Sequence, residues 1–393
     1  MTPAVTSVNP RLDIDRIIDD RRMRIIVCCG SGGVGKTTTA AAIGLRAAER
    51  GRQVCVLTVD PARRLAQSMG LSSLDNTPRL VDGIDDEAGG SLHAMMLDMK
   101  RTFDEIVEAH ADPARAAQIL ANPFYQSLSS SFSGTQEYMA MEKLGQLRRS
   151  DEWDLIVVDT PPSRSALDFL DAPERLGRFL DGRLIRILTA PVKAGRPFGR
   201  VLNAGFSVMT GALTRLLGAQ VLRDAQTFIT AFDTMFGGFR ERADATYRLL
   251  QTPGTSFVVI ATPEPDALRE ASYFVERLAE ERMPLAGLIL NRVHSAGANR
   301  LSAARSLAAA ETLEAASAQD GTAPSSSDGY PAALLTAAAL RLHAERMNLG
   351  RREQRVAGSF MSTHPAVPVM EVPALPEDVH DLAGLRRIGG SFA

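Results

Sequence analysis

A chain of 393 residues with a formal net charge of −2 can form one large α/β domain with insertions, or two domains. It has no basic excess to hold a nucleic-acid backbone or an anionic membrane surface. Its 45% hydrophobic and 23% charged residues are ordinary for a globular protein, and aromatic residues, at 5%, are too few for a base-stacking surface, so nucleic acid is not an expected partner.

The opening stretch, MTPAVTSVNPRLDIDRIIDD, is polar and acidic. It lacks the basic and then apolar regions of a secretory signal, and residues 1–21 read as an N-terminal extension. No apolar run reaches the roughly 18 to 20 residues that span a bilayer. A cytoplasmic location is the expectation.

Residues 24–29 are apolar and β-branched, predicting a buried parallel strand. Residues 36–50 carry Ala and Leu at helical spacing, with Gly51 as the stop. Residues 53–59 predict a second buried strand, so 24–59 reads as a βαβ unit. Between the first strand and the helix lies CCGSGGVGKTTT, in which Gly30-x-x-x-x-Gly35-Lys36-Thr37 is a complete Walker A pattern in its strand–loop–helix setting. The backbone of Gly30, Ser31, Gly32, Gly33, Val34 and Gly35 is expected to curl around phosphate. Lys36 is placed to bridge the β- and γ-phosphates and Thr37 to ligate Mg²⁺. Thr38 stands in the first helical turn, whose positive dipole end faces the same anion. ATP and Mg²⁺ are therefore the expected cofactors. The only cysteines, Cys28, Cys29 and Cys55, fall inside the two strands and read as small buried hydrophobes. With no CxxC pair, a thiolate metal site within one chain is not expected.

TVDPARRLAQSMG opens with Asp60. That carboxylate is placed either to orient or deprotonate an attacking water or to cap a helix whose first residue is Pro61; spacing alone does not choose. Arg63 and Arg64 suit solvated surface charge or a phosphate held across a partner. A strand is expected at 92–98, then helical sequence over 99–150 with a Ser-rich break, QSLSSSFSGTQ. WDLIVVD (153–159) predicts a strand ending on Asp159, placed to hold the Mg²⁺ hydration shell or to cap the following helix. Thr160 and the loop after it would then sense the γ-phosphate.

Residues 163–250 hold no convincing strand. Their apolar residues are dense and repeatedly interrupted by Gly and Pro, so 99–135 and 166–250 are expected to form an inserted helical subdomain. Strands follow at 256–262, 285–291 and 366–372. An Ala-rich helical interval at 298–357 is broken at 317–331, read as a mobile surface loop. Asn291, at the end of LAGLILN, can read an adenine edge or simply make a turn. The discontinuous core is expected at 22–98, 136–165 and 251–393. The fold class is an α/β P-loop NTPase: a mostly parallel sheet of about seven or eight strands, with helices on both faces and a helical insertion.

Six ordered blocks, GSGGVGKTTTAAAIGLRAAERG, TVDPARRLAQSMG, WDLIVVDTPPSRSALDFL, ATPEPDALREASYFVERL, GLILNRV and VPALPEDVHDLAGL, together resemble the ArsA family of ATPases. This is a deviant Walker A class that includes arsenite-pump ATPases and the ATPases that deliver tail-anchored membrane proteins. The resemblance implies that Asp60 polarises the attacking water, that Asp159 is the second switch carboxylate, and that Asn291 reads adenine. It also implies that the segment Pro373 to Pro376 closes over the base, and that Glu264 has a structural or interface role. It implies a homodimer, or a heterodimer with a paralogous ATPase, with a hydrophobic protein client and a membrane receptor as further partners. Apolar stretches at 198–217 and 228–239, with Met209 and Met235, are candidate client surface.

The chain departs from the family at several points. Ser31 stands where the family carries a lysine that reaches the partner's phosphates, which raises the alternative of a regulatory half of a heterodimer. Arg63 replaces a histidine, and Pro162-Ser163-Arg164-Ser165 replaces a Gly-His sequence. Cysteines suited to arsenite are missing, which demotes a metalloid or anion pump to a further alternative.

Overall fold

The computed structural model describes residues 9–60, 64–123, 125–126, 135–161, 241–294, 301–319 and 332–392. Seven apolar runs in that set become parallel strands: β1 (Ile25–Cys29), β2 (Gln53–Thr58), β4 (Ser91–Met96), β5 (Leu155–Asp159), β6 (Thr255–Ala261), β7 (Leu285–Val293) and β8 (Val369–Pro373). An eighth, β3 (Arg79–Leu80), pairs antiparallel with β4 at the sheet edge. At two residues, both exposed, it is too short to carry an alternation signal in sequence. The order is β3-β4-β2-β5-β1-β6-β7-β8. β1 lies in the centre, with β5 on one side and β6 on the other. In such a sheet, ligands bind beyond the carboxyl ends of the central strands, where the order of strand addition reverses.

The strands that flank β1 are buried on both faces, and every residue of β1, β5 and β6 is buried. That is why they read as unbroken apolar runs rather than as alternating ones. Helix α2 (Lys36–Glu49) packs Ala40, Ala41, Ile43 and Leu45 into the core, each large aliphatic side chain contributing roughly 1.5 to 3 kcal/mol. The other helices are α1 (Ile14–Asp19), α3 (Arg64–Ser68), α4 (Met99–His110), α5 (Pro113–Leu120) and α6 (Thr135–Ser150), followed by α7 (Pro265–Glu280), α8 (Ala303–Gln319), α9 (Ala332–Thr363) and α10 (Leu382–Gly389). Residues 241–250 are also helical.

Residues 9–21, expected to be an extension, pack into the same core. Leu12, Ile14 and Ile18 are buried there, and Arg11 forms a parallel bridge to Val369 on the outer strand β8. Arg52 fixes this segment. Its fully buried guanidinium donates to the carbonyls of Ile18, Asp20, Met23 and Asp154 at 2.6 to 3.2 Å. Helix α4, within the expected insertion, likewise contributes Phe103, Ile106 and Val107 to that core, and α8 runs on to Gln319 past the expected break at 317. The remainder of the 317–331 interval, most of the Ser-rich break and most of 166–250, including the candidate client surface, lie outside the described residues. Among the described residues, no helix is long and apolar enough to cross a membrane.

Candidate nucleotide site

The Walker A loop is pressed against two neighbouring strands, β6 and β7. Gly30 has φ +151°, and a Cβ there would lie 2.1 Å from the Ile260 carbonyl oxygen on β6. Gly35 caps α2 at φ +92°, and a Cβ there would lie 2.3 Å from Asn291 Nδ2 at the end of β7. Only glycine fits both places. Lys36 is 6% exposed and its Nζ donates to the Ser31 carbonyl at 2.8 Å. Burial lowers its pKa, and the carboxylates of Asp159 and Asp60 oppose that shift. The cation is therefore stored against its own loop, within reach of the space the loop encloses.

Beneath the loop, Asp159 at the tip of β5 is 0% exposed. Its Oδ2 accepts from Thr37 Oγ1 at 2.7 Å and from Thr58 Oγ1 at 2.8 Å. Its Oδ1 is buried with no hydrogen-bond partner among the described residues. Burial pushes the carboxyl up to about 6, against the pull of Thr37, Thr58 and Lys36. A hydroxyl beside a carboxylate that keeps one unsatisfied oxygen suits the hydration shell of a hard divalent cation such as Mg²⁺. Thr58, which sequence reading missed, also accepts the Asp60 backbone N–H at 3.2 Å. One hydroxyl thus joins the ends of β2 and β5. Thr160 turns away from this group: its amide and its hydroxyl both donate to the Cys28 carbonyl, at 3.2 and 2.9 Å.

A cavity of about 930 Å³ opens above the loop. Of the expected residues, Gly33, Gly35, Lys36, Thr37, Thr38, Asp60, Asn291 and Pro373 line it. Gly30, Ser31, Gly32 and Val34 complete the loop outside its lining, and Asp159 lies below. Asn291 is buried, donates through Nδ2 to the Val34 carbonyl at 2.8 Å and accepts the Arg292 N–H at 3.0 Å. It therefore braces the phosphate loop and keeps one further N–H and one lone pair for a ligand. The segment after β8 contributes Ala374, Leu375 and Val379 to the far wall. Arg292 and His294 also line the cavity, and sequence reading singled out neither. His294 is held from α9: Glu353 Oε2 accepts its backbone N–H at 2.8 Å, and Oε1 meets its ring Nδ1 at 2.7 Å.

The remaining expectations divide. The three cysteines are buried and free. Glu264 is exposed at the N-cap of α7 and makes no side-chain capping bond there. Arg63, Pro61 and the segment Pro162 to Ser165 lie outside the described residues, and the capping alternative for Asp60 falls on them.

Comparison with known proteins points the same way as this geometry. A family model described as anion-transporting ATPase matches residues 23–315, about three quarters of the chain. The chain is 25% identical over 289 residues to ATPase GET3 of Ajellomyces dermatitidis, covering 73% of this chain and 77% of the relative. It is 24% identical over 280 residues to ATPase GET3 of Malassezia globosa, covering 71% and 76%.

Proposed function

Because the chain belongs to the anion-transporting ATPase (ArsA) family and is an ATPase, we propose that it hydrolyses ATP with Mg²⁺ in the cavity between the Walker A loop and the segment after β8. We further propose that it works as a dimer whose closure reshapes helical sequence for a hydrophobic protein client. The observation that carries the site is the single cavity uniting the loop, Asp60, Asn291 and Pro373. Loop amides and Lys36 hold the phosphates. Thr37 and Asp159 hold the metal, which when bound supplies positive charge to the phosphate oxygens. Asp60, which lines the same cavity, orients the attacking water and takes its proton.

The test is Asp60→Asn, assayed for binding and turnover separately. ATP affinity should stay within about threefold while turnover falls roughly 10²- to 10³-fold. Turnover that survives the change removes Asp60 from the chemistry. The same variant, charged with ATP and used as bait, addresses the client: a membrane-protein segment should co-purify, and recovery of nothing beyond the chain itself counts against client handling.

Ser31 favours a second arrangement, in which a paralogous ATPase that retains a lysine at this position completes the site. The Ser31 side chain is uncharged and too short to reach across an interface. If this arrangement holds, Ser31→Lys raises the turnover of the isolated chain severalfold. Unchanged turnover means that the chain works without a lysine from across the interface.

A further inference from the structure

Arg292 sits in a backbone conformation that a side chain of its kind seldom occupies. Its φ is +58°, in the left-handed region that costs an ordinary residue about 1 to 2 kcal/mol. The cause is visible in the sheet. β7 and β8 run in register through Leu290↔Glu371, and the next pair is Val293↔Pro373, so Asn291 and Arg292 stand opposite the single residue Val372. The extra residue bulges, and bulges re-aim side chains. Here the guanidinium is turned onto the phosphate loop, where Nη1 donates to the Gly33 carbonyl at 3.2 Å. The Arg292 N–H is meanwhile held by Asn291 Oδ1. The residue lines the cavity together with Asn291, Gly35, Pro373 and Leu375.

Strain held by a specific set of bonds beside a cavity calls for a ligand. One N–H reaches Gly33, which leaves four donors and the flat face of the guanidinium. The adjacent wall is Asn291, a carboxamide able to read a base edge, and the apolar Pro373 and Leu375. The phosphate site already has a cation in Lys36, which is held on the Ser31 carbonyl. We propose that Arg292 is a nucleobase-binding residue: it lays its guanidinium against the face of the purine. This deepens the ATP-site reading and rests on it.

The test is a set of binding titrations with ADP, ATP and inorganic tripolyphosphate on wild type, Arg292→Gly and Arg292→Lys. Glycine accepts φ +58° freely, so the melting temperature of R292G without nucleotide should equal or exceed that of wild type. Its ADP and ATP affinities should nonetheless both fall about tenfold, the size of a partly desolvated cation–π contact. Tripolyphosphate, which has no base, should bind within twofold of wild type. R292K keeps the charge and a donor for Gly33 without the flat face, and should lose about threefold on ADP.

Three results overturn the inference. Tripolyphosphate weakened as much as ADP, or ATP weakened far more than ADP, places the guanidinium on the phosphates. A melting temperature that falls together with affinity makes Arg292 a brace for the loop. Wild type that binds nucleotide tightly beside an unmoved R292G removes the inference alone, whereas wild type that binds neither nucleotide removes the ATP-site reading as well.

Discussion

The phosphate side and the base side of the cavity are built differently. On the phosphate side, loop, strand and helix are locked by close contacts: Gly30 against β6, Lys36 on its own loop, and Thr37 and Thr58 on Asp159. On the base side, the wall is an exposed arginine at positive φ, a β-bulge and a stretch of irregular chain after β8. Phosphate is common to all nucleotides and demands one geometry, so its side carries no slack. The base differs among nucleotides, and a wall of single side chains can select without disturbing the sheet. Asn291 is the joint between the two sides. It touches both, through Val34 and through Arg292.

The sharpest way to break this contrast is Gly35→Ala. Alanine at φ +92° is strained, and its Cβ would meet the Asn291 amide at 2.3 Å. Strain of that kind costs about 1 to 3 kcal/mol, and here it also pushes apart the joint between the two sides. ATP and tripolyphosphate should therefore both lose on the order of 100-fold in affinity, measured by titration on protein whose circular dichroism is unchanged. If tripolyphosphate keeps its affinity while ATP loses it, the two sides are independent and the rigid-loop account is wrong.

The buried carboxylate gives the next test. Asp159 has its carboxyl pushed up to about 6 by burial, from an ordinary value of 3.8. The native state therefore binds more protons than the unfolded state between those values, and stability falls as pH rises through the window. At neutral pH in EDTA, the ionised group costs the fold about 3 kcal/mol. Asp159→Asn should raise the melting temperature at pH 7.5 in EDTA and flatten its dependence on pH between 4.5 and 7. Stabilisation by ATP with Mg²⁺ should be lost in the same variant. A melting temperature that drops at pH 7.5 would mean that the ionised carboxylate stabilises the fold through its two hydroxyl donors.

What the chain discloses before folding follows the same division. The phosphate side was legible: a loop with fixed spacing between a buried strand and a helix leaves glycines, a lysine and a threonine at set positions. Asp159 was legible as the polar end of an apolar run. On the base side, Asn291 and Pro373 emerged as strand-end residues, whereas Arg292 depends on a register shift between β7 and β8 that has no local pattern. Arg52 was missed for a related reason. It looks like a charge before a strand, and only the return of residues 18–23, beside Asp154, buries it among four carbonyls. Residues 9–21 read as an extension because the four that carry the packing, Leu12, Ile14, Ile17 and Ile18, are interleaved with charged residues.

The smallest effect tests how far the base side reaches. Glu353 is 7% exposed on α9 and grips His294 through both carboxylate oxygens, two residues from Arg292. Through this side chain α9 is tied to the cavity wall. Glu353→Gln keeps the shape and an acceptor for the His294 N–H and gives up the charge, a loss worth about 1 kcal/mol for a hydrogen bond of this type. If α9 sets the position of the wall, KM for ATP should rise two- to fivefold while kcat stays within twofold, because phosphate positioning is untouched. A lower melting temperature with unchanged KM would make the pair a structural pin alone. A fall in kcat at constant KM would carry the influence of α9 across Asn291 into the phosphate side, and the two sides would then act as one unit.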